Sequence, residues 1–239
     1  MDLLFHNEHF AAADKPADWL SVPSRQGEDD TRPCLGKRLE AALATRLWPV
    51  HRLDQEVTGL ILFAKSPEAH RLANQWFEQR QVVKTYEALT GPAAPPAPGA
   101  PALVGPGVLP AAGTDYVWHS HLLRGKRRAY ASPQGKPAET QATFIGLKQA
   151  GTTTAGHWRL HPHTGRPHQL RFDLSRHGFP ILGDALYGSL APCPGAGIAL
   201  RCVQLDFTAC PKYAAFGLPT LLVAPGLIPF LGFHKKAPP

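Results

Sequence analysis

Gly59 to Ala64 is an unbroken apolar run, closed by Lys65, and it limits the fold more than any other segment of this 239-residue chain. A run with no polar alternation suits a central strand buried on both faces. The residues leading into it are His51-Arg52-Leu53-Asp54-Gln55-Glu56-Val57-Thr58. They set one carboxylate, Asp54, at the end of a basic and apolar stretch, just before the turn glycine Gly59. Its residue type allows two readings, a turn or capping aspartate and a nucleophile or anchored charge. Far down the chain, Thr164-Gly165-Arg166-Pro167-His168-Gln169-Leu170-Arg171 is dense in donors able to hold such a carboxylate. Together the two segments point to an enzyme.

Around them the chain alternates between short elements. Residues 3–12 read as a strand ending in a turn at Asp14-Lys15-Pro16. Leu35, Leu39, Ala42, Leu43 and Leu47 recur at helical spacing and predict a helix over Pro33 to Leu47. Ser66-Pro67-Glu68 predicts a helix start, with serine as N-cap, proline first and an acid in the first turn. Ala69, Leu72, Ala73, Trp76 and Phe77 form that helix's apolar stripe. Val82 to Leu89, Gln141 to Leu147, Trp158 to His163 and Ile198 to Thr208 read as strands, with a loop from Ala150 to Gly156. His168 to Arg176 fits a short helix with Leu170 and Leu174 on its apolar side, closed by Gly178 in the left-handed region. Pro180 to Asp184 reads as a tight turn, and residues 91–113 as a Pro/Ala/Gly linker or long surface loop. Strands outnumber helices without a βαβ rhythm. The class is α+β, with a mixed, mainly antiparallel central sheet, flanking helices and a catalytic cleft. At this length the chain is one domain, residues 1–239, or two lobes of one.

Charge narrows the partner. Lys and Arg number 25 against 18 Asp and Glu, a formal net +7, which favours a polyanion or marks an ordinary basic surface. The densest cluster, Arg124-Gly125-Lys126-Arg127-Arg128, reads equally as a solvated turn and as a phosphate-contacting loop. Cys34, Cys193, Cys202 and Cys210 show no Cys-x-x-Cys pair or zinc-finger spacing, and read as reduced, buried thiols of a cytoplasmic protein. His161 and His163 have no third ligand near them in sequence, so no metal is expected. Met1-Asp2 opens no signal peptide, and no run of about eighteen apolar residues exists to span a membrane.

Several segments, in order, resemble the RluA family of RNA pseudouridine synthases. That family's pattern is His-Arg-Leu-Asp, two variable residues, then Thr-Ser-Gly-Leu; residues 51–60 match it with Val57-Thr58 in place of Thr-Ser. Asp14-Lys15-Pro16 resembles the opening Asn/Asp-Lys-Pro, and Lys84-Thr85-Tyr86 the Lys-x-Tyr strand. Gly135 to Thr140 is similar to Gly-Lys-Pro-Ala-x-Thr, Thr164 to Arg171 to Thr-Gly-Arg-x-His-Gln-Ile/Leu-Arg, and Pro180 to Gly188 to Pro-Ile-Leu-Gly-Asp-x-x-Tyr-Gly. Phe233 to Pro238 resembles the closing Ala-Pro. The chain is thereby identified as a member of that family, and its start at the catalytic domain leads us to expect a short form without the small N-terminal RNA-binding domain.

The resemblance implies a chemistry: the bond between uracil nitrogen and ribose breaks, the base rotates, and it rejoins through carbon. No redox change occurs and no cofactor is expected. By resemblance Asp54 is the nucleophile, Arg171 the arginine paired with it, and Tyr86 the tyrosine at the target base. Arg52 fills the gap left by the extruded nucleotide and Leu182 walls the uracil pocket. His51, Arg166, His168 and Gln169 join the RNA-binding set, with Lys126, Arg127 and Arg128 on phosphates. The implied partner is structured RNA, transfer or ribosomal or both, met by a monomer with no obligate protein partner. Phe172-Asp173 stands where the family has Val-His, which adds a carboxylate. Two rival readings remain: a non-catalytic RNA-binding protein on the same scaffold, and a glycosidic hydrolase using Asp54 and Asp173 as its two carboxylates.

Overall fold

The computed structural model describes residues 2–24, 27–91 and 109–227. In chain order its elements are β1 (Asp2–His6), β2 (Phe10–Lys15), α1 (Leu35–Leu43), β3 (Trp48–Pro49), β4 (Thr58–Ala64), α2 (Pro67–Glu78) and β5 (Val83–Thr90). There follow β6 (Thr114–Arg124), β7 (Ala129–Ala131), β8 (Lys136–Ala150), β9 (Thr153–Pro162), α3 (Gln169–Arg176), β10 (Leu200–Asp206) and β11 (Leu221–Val223). The ladders β1–β2, β2–β4, β3–β4, β10–β11, β5–β9, β9–β8, β8–β6 and β6–β7 are antiparallel, and the class is α+β as expected. The chain forms two compact units, one running to Thr85 and including Cys202–Ala224, the other Tyr86–Arg201 with the segment from Pro225.

In the first unit the strands lie in the order β1-β2-β4-β10, with β3 also on β4 and β11 on β10. All seven residues of β4 are buried, because each face carries its own apolar layer. Ala11 and Ala13 of β2, with Ile61 and Phe63 of β4, pack against Leu35 and Leu39 of α1. Phe10, on the opposite side of β2 by alternation, meets Trp76 of α2 at 6.1 Å, and Trp76 meets Phe207 at 6.2 Å. Ser66 caps α2 as expected, its Oγ accepting from the Ala69 N–H at 3.1 Å, with Pro67 and Glu68 in the first turn.

The second unit stacks its strands in the order β5-β9-β8-β6-β7. Its core is aromatic: Trp158 sits 5.7 Å from Trp118, 5.1 Å from Phe144 and 4.9 Å from Phe179. Helix α3 buries Leu170 and Leu174 against it, and Gly178 follows at φ +90°, the left-handed position predicted for it.

Four expectations change. Residues 3–12 are a hairpin rather than one strand, because Asn7 folds the chain back. Its Oδ1 accepts from the His9 and Phe10 N–H groups at 2.8 and 2.7 Å. The turn expected at Asp14-Lys15 is strand, since both residues pair with β4. Helix α1 stops at Leu43, where Ala44 turns left-handed at φ +47°, and the Glu40 carboxylate captures the Leu47 N–H at 2.9 Å. The expected loop from Ala150 to Gly156 shrinks to a turn at Gly151 and Thr152. Gly156 lies inside β9, where a Cβ would fall 2.8 Å from Thr90 Oγ1, so it marks close approach rather than a bend. Cys202 and Cys210 are buried but Cys34 and Cys193 only half so, and none of the four is in a disulfide. Residues 92–108 of the linker and the segment Phe233 to Pro238 lie outside the described residues.

Candidate active site

The first unit is built to present Asp54. Leu53, one residue earlier, is buried, and Ser21 holds both sides of it: its hydroxyl donates to the Leu53 carbonyl at 2.8 Å and accepts the Leu53 N–H at 3.0 Å. One residue later, the Gln55 carbonyl accepts from the Lys15 ammonium at 2.8 Å. That ammonium is wholly buried and spends its other donors on the Pro16 and Trp19 carbonyls, at 2.9 and 2.7 Å. Burial lowers its pKa to about 8, while the charges of Asp18, Glu56 and Asp54 act in the opposite direction, so it is mostly charged at neutral pH. The Asp54 carbonyl accepts the Val57 N–H at 3.2 Å, closing a turn. The main chain around Asp54 is thus fixed on both sides, and Asp54 itself is half-buried.

His51 secures the start of the same loop. Its Nε2 accepts the Leu62 N–H of β4 at 2.9 Å, and its ring stacks on Phe77 of α2 at 4.9 Å and 15°. Burial, helped by the Lys84 charge, pulls its pKa down to about 3, so the ring is neutral. Gly59 secures the end: at φ +108° any Cβ would lie 2.2 Å from the Cys202 carbonyl oxygen in β10. Arg52, between these anchors, is exposed. Val57 and Thr58, which replace the expected Thr-Ser pair, are both buried and extend the core.

The second unit interlocks two motifs that are remote in sequence. Gln169 Nε2 donates to the Glu139 carbonyl at 3.0 Å and to Thr140 Oγ1 at 2.9 Å. Its Oε1 accepts from Thr164 Oγ1 at 2.7 Å and from the Arg166 N–H at 3.0 Å. Thr164 Oγ1 accepts the Glu139 N–H at 3.0 Å, and Arg166 Nε donates to the Pro137 carbonyl at 2.9 Å. The loop at 164–169 is therefore latched onto the start of β8. His168 takes a left-handed backbone at φ +55° and opens α3, which delivers Arg171 inward.

Arg171 is 2% exposed and grips Asp184, 1% exposed, through Nε–Oδ2 at 2.7 Å and Nη2–Oδ1 at 2.8 Å. A two-point pair this deep fixes the guanidinium plane, and removing one partner would cost about 3–5 kcal/mol. The Tyr187 ring lies under that plane, 5.2 Å from Cζ. Tyr86 is the first residue of this unit, buried on β5 opposite Leu160, and Leu182 is fully buried, its N–H on the Leu89 carbonyl at 2.9 Å. Lys126, Arg127 and Arg128 stand exposed at the tip of the β6–β7 hairpin.

Asp173, the second carboxylate of the hydrolase reading, lies in the core of its unit. It is 1% exposed and accepts from Thr140 Oγ1 at 2.7 Å. Burial pushes its pKa up to about 7, against the pull of Thr140, Arg176 and Ser120. A carboxyl this buried has no open side to offer a glycosidic bond, which counts against the two-carboxylate hydrolase reading.

Of the residues picked from sequence, Arg52, His51 and Asp54 fall in the first unit, and Tyr86, Lys126, Arg127, Arg128, Arg166, His168, Gln169, Arg171 and Leu182 in the second. The hydrogen bonds recast His51 and Gln169 as organisers of their loops. Lys15, Ser21, Asp184 and Tyr187 were not singled out as site residues, although Lys15, Asp184 and Tyr187 lie in segments that carry the family resemblance. Among the described residues no helix is long and apolar enough to cross a membrane, and no group of three His, Cys, Asp or Glu could hold a metal ion.

Comparison with known proteins adds an independent line. The profile of the RNA pseudouridylate synthase family matches residues 9–176. The chain is 31% identical over 199 residues to tRNA pseudouridine synthase C of Pasteurella multocida, covering 80% of this chain and 75% of that one. It is 31% identical over 222 residues to the dual-specificity RNA pseudouridine synthase RluA of the same organism, covering 87% and 86%. Among solved structures, human RNA Pseudouridylate Synthase Domain Containing 1 aligns with a TM-score of 0.64 at 20% identity over 87% of this chain and 78% of that one. Domain Containing 4 aligns with 0.61 at 23% over 93% and 87%. Both share the fold.

Proposed function

The chain belongs to the RNA pseudouridylate synthase family and is an isomerase that turns uridine in RNA into pseudouridine, and we propose that Asp54 is its nucleophile. The observation that carries this is the loop itself. Ser21 and Lys15 pin the residues on either side of Asp54, which is itself only half-buried. A capping aspartate needs no such bracing, whereas a nucleophile must be aimed.

The reaction is balanced without a co-reactant. The N1–C1′ bond of uridine breaks while the Asp54 carboxylate forms a transient covalent bond to the substrate. The base turns, C5 bonds to C1′, the C5 proton leaves, N1 takes up a proton, and the carboxylate is released. Arg171, aimed by Asp184, is the cation we pair with Asp54 in this scheme, and Tyr86 contacts the base. Arg52 fills the space of the extruded nucleotide, at a flipping cost of about a few kcal/mol. Leu182 walls the base pocket, and Lys126, Arg127 and Arg128 hold phosphates. The substrate is transfer RNA, ribosomal RNA or both; of the two Pasteurella relatives, one is named for transfer RNA and the other for a dual specificity. Loops, whose bases are already partly unstacked, are the favoured targets. The enzyme acts as a monomer in the cytoplasm.

The test is Asp54→Asn, which keeps shape and removes charge. With bulk tRNA and rRNA transcripts carrying tritium at uridine C5, the variant should release no tritium above background. It should still bind the RNA within about two-fold of the parent, since phosphate contacts carry the affinity. Isomerisation at parental rate by this variant would remove Asp54 from the role.

A further inference from the structure

The structure assigns Tyr187 a task beyond packing: it links the basic hairpin to the Arg171–Asp184 pair, so that RNA contact at the hairpin sets the rate of isomerisation as well as affinity. This rests on the reading of Arg171 and of the hairpin given above.

Tyr187 is 6% exposed and is engaged at both ends. Its ring lies 5.2 Å from Arg171 Cζ, and the edge of His168 meets it at 5.8 Å. Its hydroxyl accepts the Ala129 N–H at 2.7 Å and points its proton towards the Ala129 carbonyl at 3.4 Å. Ala129 is 2% exposed, opens β7 and pairs with Arg124 of β6. The residues between that pair, Gly125 to Arg128, form the basic turn, closed by the Gly125 N–H on the Arg128 carbonyl at 2.9 Å. The hydroxyl thus holds the root of the segment whose tip carries Lys126, Arg127 and Arg128.

The other connections of Tyr187 run to the catalytic arginine. Its N–H donates to the Asp184 carbonyl at 3.0 Å, so tyrosine and carboxylate share one short turn. Its carbonyl accepts from Ser175 Oγ at 2.6 Å on α3, the helix that carries Arg171. A shift of the hairpin root therefore moves the ring under the guanidinium and the turn that holds Asp184. Phenylalanine would serve the guanidinium face equally well; the hydroxyl serves only the hairpin.

The full chain is compared in four forms: parent, Tyr187→Phe, Arg127→Ala with Arg128→Ala, and the three changes together. The probe is the same C5-tritiated bulk tRNA and rRNA, with enzyme in excess and salt held constant, reading affinity and maximal single-turnover rate separately. In the parent, neutralising the two arginines lowers both quantities. Tyr187→Phe alone lowers the rate about ten-fold and keeps the affinity, which also certifies its fold. In the triple variant the affinity falls again but the rate falls no further. If the arginine changes lower the rate by the same factor with phenylalanine present, the link is overturned and the hairpin contact stands. If they alter neither quantity in the parent, the hairpin contact and the link both fall. A second readout avoids substitution at Tyr187: hydrogen exchange at the Ala129 amide should slow when bulk tRNA is added to the parent, and unchanged exchange overturns the link.

Discussion

The Asp54 loop and the loop at 164–169 are each clamped to their own unit, and the clamps use opposite chemistry. In the first unit a buried ammonium donates to three carbonyls, and a neutral imidazole accepts one amide. In the second a neutral side-chain amide both donates and accepts, four times, and a buried carboxyl lies beneath it on Thr140. A cation can only donate, so it grips main-chain carbonyls on either side of the loop. An amide with both polarities instead knits two segments into one piece, which suits a loop that must hold an arginine's helix steady. The difference also gives the two units opposite responses to pH.

The largest effect tests the cationic clamp. Lys15→Met keeps length and bulk but removes all three donors from the Pro16, Trp19 and Gln55 carbonyls. Each orphaned acceptor costs about 1–3 kcal/mol, partly offset because no charge is buried any longer, for a net loss of about 4 kcal/mol. Urea unfolding at pH 7 measures it, and isomerisation should drop with it because Gln55 loosens next to Asp54. A loss under about 1 kcal/mol would show that the loop is held by other means and would erase the contrast.

These clamps were only partly visible in sequence. The strand after Asp54, the segment ending at Arg171 and the start of α2 were legible because each rests on a local pattern: an apolar run, a donor-rich segment, a serine-proline-acid helix start. The roles proposed for Asp54 and Arg171 came from the family resemblance. Lys15 was not, because its three acceptors are set by folding and the Gln55 carbonyl is 40 residues away. Gln169 was legible as a residue but not as a latch, since its partners Glu139 and Thr140 lie about 30 positions earlier. Gly156 misled because two physical reasons for glycine, a bend and a close approach to Thr90, look alike in one dimension. The burial of Asp173 was not legible either, because a carboxylate's burial is a tertiary fact.

Asp173 supplies the next effect. Its carboxyl binds a proton more tightly in the folded chain than in the unfolded one, with a pKa raised from 3.8 to about 7. Its contribution to stability is therefore complete below pH 3.8 and is lost as pH rises through about 7. Between pH 5 and pH 8 this amounts to about 2–3 kcal/mol. Asp173→Asn keeps an acceptor for Thr140 and cannot ionise, so it should gain that much on the parent between the two pH values. Equal pH responses of variant and parent would mean the carboxyl is already ionised in the fold.

His51 runs the other way. Its folded pKa is depressed from 6.5 to about 3, so the stability of its neutral, accepting ring is present above pH 6.5 and is lost as pH falls towards 3. From pH 7 down to pH 5 the unfolded chain takes up a proton that the folded ring refuses, a loss of about 2 kcal/mol. His51→Gln offers an amide oxygen to the Leu62 N–H without titrating, and should flatten the unfolding free energy over that interval by the same amount. The slope is the readout, because any cost of losing the stack on Phe77 is the same at both pH values. An unchanged slope would mean that the ring protonates in place, which is incompatible with Nε2 accepting from Leu62, and the first unit would then lose its acid-sensitive anchor.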